Sequence, residues 1–222
     1  MAHSHRITRR EALERVAMTA AFAAVAPPTM LAQRPTFPKG AIIRTLLKDY
    51  APEELAGGAT LFHEHMSLAP DFNDKFRAAT AAARAANGLP PLQGRAGGPP
   101  APPPGPDPMR NVDLMAEELA TAKREGVACI VDGGHPDMGR DLEFVRQASM
   151  KSGVPVVAGA GFYAEPFYPK EIATMSEEQI VQALIKQADE DPAGAFGEIG
   201  SWDEITATER KVFRGVGKAH VG

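Results

Sequence analysis

Residues 111–134, NVDLMAEELATAKREGVACIVDGG, decide the fold. Val112, Met115, Leu119 and Ala122 recur at helical spacing among charged residues, and Gly126 closes the pattern. Directly after it, VACIV at 127–131 is apolar without alternation. A strand that is apolar on both faces belongs in a parallel sheet covered by helices on both sides. An amphipathic helix running straight into such a strand is half of a β/α repeat.

The repeat recurs downstream. DMGRDLEFVRQASMKSG (137–153) reads as a second helix, with Leu142, Val145 and Ala148 inward and Gly153 at its end. VPVVAGAG (154–161) is the next apolar strand. SEEQIVQALIKQADED (176–191) opens with Ser176 and Gln179, a capping box, in which each residue satisfies a backbone N–H of the other. AGAFGEIGS (193–201) is a further strand, and TATERKVFRGVGKAH (206–220) a final helix with a second capping box, Thr206 and Glu209. Upstream, AIIRTLL (41–47) and the turn-like DYAPEE make a short hairpin that leads into a buried strand over about 59–65. With that strand there are four β/α units, which predicts an α/β fold with parallel strands. A doubly wound sheet and a (β/α)8 TIM-type barrel both satisfy this pattern. No Gly-x-Gly-x-x-Gly turn follows the first strand, and a complete barrel needs about 250 residues. A barrel reading therefore expects only the first four units here.

The chain has 222 residues, 44% of them hydrophobic, which is enough for one domain with a real core. Net charge is −4 with both signs interspersed, and no basic stripe suggests nucleic acid as a partner. The single cysteine, Cys129, lies inside an apolar run and reads as a core residue. Residues 1–33 read as a signal peptide: Arg9 and Arg10 precede an apolar run from Val16 to Ala26. That run is too short to span a bilayer and suits twin-arginine export to the periplasm or beyond. This route carries folded proteins, often already loaded with a metal. The remaining 34–222 form the domain, interrupted by the Pro/Gly-rich stretch 85–108, expected as an exposed loop. The helical FRAATAAARAA (76–86) before it is expected to cover part of the site mouth.

Chemistry concentrates in LFHEHMS (61–67). In a strand, residues i and i+2 share a face, so His63 and His65 point the same way at the C-terminal end of the first strand. Parallel α/β enzymes place their chemistry at that end. Two imidazoles facing one pocket suit a divalent transition metal. Two histidines hydrogen-bonded to backbone at a strand end are the structural alternative. His220 precedes any fifth strand, and His3 and His5 fall within the signal, so none of the three counts as a ligand.

GGATLFHEHMS, IVDGGHPDMGRDLEFVRQASMKSGVPVVAGAGFYAEPFYP and GEIGSWDEITATERKVFR together resemble the phosphotriesterase-related branch of the amidohydrolase superfamily. The likeness runs from about Gly57 to the end, apart from the Pro-rich insert. It implies a TIM-type barrel and metal-assisted hydrolysis of small esters, lactones or phosphotriesters. It also implies two divalent ions, zinc by expectation, one of them held by His63 and His65. Glu198 stands where the family places a bridging ligand, commonly a carbamylated lysine and in some members a glutamate. Histidines from the fifth and sixth strands and an aspartate from the eighth have no counterpart here, so the chain is expected to lack half of the site. A non-catalytic fragment and a periplasmic metal- or ligand-binding protein remain alternatives, and homo-oligomerisation stays open. Phe162 and Tyr163 after the third strand, Trp202 after the fourth and His135 after the second are candidates for the substrate pocket. Tyr163 falls where the family carries a pocket aromatic. The three aromatics serve equally well as packing between loops and helices, and His135 as an exposed loop residue.

Overall fold

The computed structural model describes residues 36–91, 105–201 and 204–221. The signal sequence, Trp202 and most of the Pro-rich stretch lie outside these described residues. A two-residue hairpin, β1 (Ile43–Arg44) and β2 (Asp49–Tyr50), is followed by one turn of helix, α1 (Pro52–Leu55). The repeat then begins with β3 (Ala59–Glu64) and α2 (Phe72–Ala86). It continues through α3 (Val112–Arg124), β4 (Val127–Asp132), α4 (Leu142–Ser152) and β5 (Val156–Ala160). The last elements are α5 (Glu177–Glu190), β6 (Ala193–Phe196) and α6 (Ala207–Val221). The four longer strands form one parallel sheet in the order β3-β4-β5-β6. Chain order equals spatial order, the arrangement of a barrel wall, and rules out the doubly wound alternative, whose order reverses at a switch point.

Helix boundaries follow local chemistry. The Asn111 side chain accepts from the Asp113 and Leu114 N–H groups to start α3. Ser176 with Gln179 and Thr206 with Glu209 form the two expected capping boxes. The helix expected from 137 starts only at Leu142. Residues Pro136–Met138 make a separate 3-10 turn, Gly139 adopts φ +74°, and Asp141 caps α4 by accepting the Phe144 N–H. The Pro-rich stretch likewise begins later than 85, because the alanines carry α2 through Ala86.

Burial explains the layering. Met115, Leu119, Val145 and Ala148 from α3 and α4 pack against Ile130, Val156 and Ala158 on the outer face of the sheet. Ile180, Leu184, Val212 and Ala219 from α5 and α6 form the neighbouring cluster. Each of the Val, Leu, Ile and Met side chains contributes about 1.5–3 kcal/mol on burial. On the opposite face, Cys129 and Val157 pack with Leu55, Ile43, Tyr50 and Ala195. The hairpin closes that face at the N-terminal ends of the strands, where the Leu46 N–H donates to the Val156 carbonyl at 2.9 Å.

Two expectations about strands need correction. β3 is largely exposed instead of buried, with Phe62 at 80% exposure, because among the described residues only β4 pairs with it. β6 ends at Phe196, and Gly197 turns the chain out of the sheet at φ +148°. Glu198 therefore sits on the loop beyond the strand, not within it.

Candidate metal centre

β3 delivers His63 within the strand and His65 just after it, while the loop after β6 returns Glu198 across the sheet. On a flat sheet, residues three strand spacings apart would stand about 14 Å from each other with parallel side chains. Here the His63 and His65 Nε2 atoms lie 3.1 and 3.2 Å from the same Glu198 Oε2. The sheet curves, so side chains from its first and last strands converge. Backbone ties set this convergence: the Gly133 N–H donates to the Glu64 carbonyl at 2.8 Å, and the Glu198 N–H to the Gly133 carbonyl at 3.4 Å. Gly159 permits the approach, since a Cβ there would collide with the Gly197 carbonyl oxygen.

The donor set fits a divalent ion. Donors about 2.1 Å from a tetrahedral zinc lie about 3.4 Å apart. The three ligand atoms here lie within 4.8 Å of one another, with two separations near 3.2 Å. The imidazole rings meet edge to face at 5.2 Å. His63 is 58% exposed and His65 and Glu198 about a quarter, which leaves one side open to a small molecule. His65 Nδ1 is buried without a hydrogen-bond partner among the described residues.

Beneath the histidines lies a buried polar layer that the sequence reading did not pick out as a unit. Asp132, the last residue of β4, accepts the Met66 N–H at 3.2 Å and the Gly134 N–H at 3.4 Å. Burial pushes its carboxyl above the ordinary value, against these N–H groups and the nearby Arg140. Arg140 donates to the Gly134 and Gly159 carbonyls at 2.9 and 2.6 Å, holding the ends of β4 and β5 together. An aspartate closing an otherwise apolar run was the signal available in the sequence.

His135 is fully buried, contrary to the exposed loop position expected of it, and does not line the pocket mouth. Burial lowers its imidazole to about 4. Its Nδ1 lies 3.7 Å from Asp137, whose carboxyl burial raises to about 6 although it accepts the Tyr163 N–H at 2.8 Å. At that separation no hydrogen bond forms, and loss of solvent is the largest cause of both shifts. Phe162 turns into the helix cluster around Ile172 and Ile180, and so acts as packing. Tyr163 packs against Phe72 and Phe167 with ring centroids at 6.0 and 5.1 Å and also lines a cleft beside Ser201. Burial, aided by the Glu198 charge, raises its phenol to about 12. Trp202 is outside the described residues.

Histidines and a carboxylate gathered at the C-terminal ends of parallel strands form a candidate metal site. The sequence model of the phosphotriesterase family matches residues 51–222, and the chain belongs to that family. Similar proteins include the phosphotriesterase homology protein of Escherichia coli (strain K12), 28% identical over 114 residues, covering 48% of this chain and 39% of that protein. The N-acetyltaurine hydrolase of Rattus norvegicus is 31% identical over 116 residues, covering 50% of this chain and 33% of the relative. Among solved structures, a resiniferatoxin-binding protein from Rhodobacter sphaeroides superposes with a TM-score of 0.60 at 26% identity, over 81% of this chain and 52% of that one. The lactonase Lmo2620 from Listeria monocytogenes gives 0.55 at 22% identity, over 82% and 54%, a likeness of fold alone. The chain thus spans between a third and about half of the length of these relatives.

Proposed function

We propose that His63, His65 and Glu198 hold a divalent ion, zinc by choice of donors, and that the protein hydrolyses small esters, lactones or phosphotriesters. The observation that carries this reading is the meeting of two imidazole Nε2 atoms on one carboxylate oxygen, from opposite edges of the sheet. A divalent ion in such a site supplies Lewis acidity, lowering the pKa of a coordinated water to about 7 and polarising a carbonyl or phosphoryl oxygen. The protein's part is positioning. His63 and His65 donate lone pairs as neutral imidazoles, and Glu198 supplies the negative charge that offsets the cation. Tyr163, with its phenol raised to about 12, stays protonated at working pH and keeps the flank of the site neutral. Asp132 and Arg140 fix the strand ends on which the site rests. Twin-arginine export of the folded, metal-loaded chain belongs to the same proposal.

Metal content by elemental analysis tests it, comparing the wild-type chain with the His63→Ala/His65→Ala double variant. The expected result is near-stoichiometric zinc in the first and trace zinc in the second, followed by ester and lactone turnover only in the first. Equal trace metal in both would overturn the reading.

A further inference from the structure

The cations of α2 differ in their surroundings. Lys75 pairs with Asp71 at 3.0 Å, and Arg77 pairs with Asp74. Arg84, two turns further on, has no carboxylate partner among the described residues. Its Nε donates to the Pro90 carbonyl at 2.8 Å, which fixes the guanidinium, and its terminal nitrogens have no partner among the described residues. Those nitrogens belong to a residue lining a cleft of about 390 Å³, a volume in the range of small-molecule sites.

One stripe of α2 forms one wall of this cleft, with Phe76, Thr80 and Arg84 spaced four residues apart. Leu89 adds apolar surface, and Tyr163 and Ser201 form the opposite wall. That opposite wall adjoins the histidine site: the Gly200 N–H, two residues beyond Glu198, donates to the Tyr163 carbonyl at 2.6 Å. The cleft therefore has an apolar middle, a fixed cation with no carboxylate partner among the described residues on one wall, and the candidate metal ligands beyond the other. Arg84 is half-buried, and a guanidinium held in place with no carboxylate beside it among the described residues offers charge-assisted hydrogen bonds to an anionic ligand.

We infer that this cleft is the substrate's tail subsite and that Arg84 recognises a carboxylate or sulfonate at the end of a short apolar chain. The inference rests on the hydrolase reading for the other end of the substrate and narrows its class to esters or lactones with an anionic tail. Arg84 takes no part in bond breaking; it determines specificity.

Binding of hexanoate, hexanesulfonate and neutral 1-hexanol to the full chain, followed by ligand-observed NMR titration, tests this without requiring turnover. The wild type should bind an anion at least about tenfold more tightly than the alcohol, the scale of one charge-assisted hydrogen bond. Arg84→Lys should keep the preference, and Arg84→Met should abolish it while retaining the circular dichroism of the wild type. The His63→Ala/His65→Ala variant should also keep it, so failure of the metal site and failure of this subsite give different results. Whichever of the two anions binds better identifies the head group. The proposal falls if the wild type shows no anion preference, if Arg84→Met leaves it intact, or if it disappears with the histidines. Loss of stability alone in Arg84→Met would make the residue a helix-end support and equally overturn the assignment.

Discussion

His135 and Asp137 are buried side by side, and their titrations oppose each other. His135 falls from its ordinary 6.5 to about 4 in the folded chain, which costs about 3 kcal/mol of stability once pH is below both values. Between pH 4 and 6.5 the unfolded chain binds the extra proton, so stability rises with pH by about 1.4 kcal/mol per unit. Asp137 rises from 3.8 to about 6. Between those values the folded chain binds the extra proton, so stability falls with rising pH at the same rate, to a cost of about 3 kcal/mol above pH 6. From pH 4 to 6 the two slopes cancel, with neutral imidazole beside neutral carboxyl. Removing either partner uncovers the other. Relative to wild type, Asp137→Asn should gain about 1.4 kcal/mol per pH unit over this window, and His135→Gln should lose the same amount. Urea unfolding at pH 4.5, 5.0 and 5.5 measures both, and taking differences from wild type removes the contribution of surface carboxylates. Flat or reversed difference curves would refute the reasoning.

Two further outcomes are expected. Gly159→Ala pushes a methyl group against the Gly197 carbonyl, so it should weaken zinc binding in equilibrium dialysis by tenfold or more while helical circular dichroism persists; unchanged affinity would show that the loop yields freely. Ile180→Ala empties a fully buried position between α5 and α6 and should cost about 2–5 kcal/mol, read from the urea midpoint.

The alternation of helices and strands was legible because each element repeats one local signal: a 3.6-residue stripe such as Val112, Met115 and Leu119, or a short apolar run such as Val127–Val131. The caps at Ser176 and Thr206 were legible for the same reason, since they depend on residues three apart. Glu198 was matched to the histidines through a family likeness, and no local feature of AGAFGEIGS shows that the chain leaves the sheet at Gly197. Gly197 and Gly139 adopt positive φ where no local pattern asks for it, and the boundaries there moved. His135 shows the same limit. A histidine between glycine and proline reads as a surface loop, yet the loops after β4 and β5 fold over it. Burial of a loop residue is decided by distant segments that carry no mark at the residue itself.

The meeting of His63 with Glu198 joins positions 135 residues apart. A cation held by both would act as a removable cross-link between the two edges of the sheet, closing a loop that takes in β4, β5, β6 and the four helices α2 to α5. Closing so long a loop removes several kcal/mol of freedom from the unfolded chain, the same order as a disulfide of that span. Chelation should then loosen the outer strands together, and resistance to proteolysis should follow free zinc concentration even where no substrate is turned over.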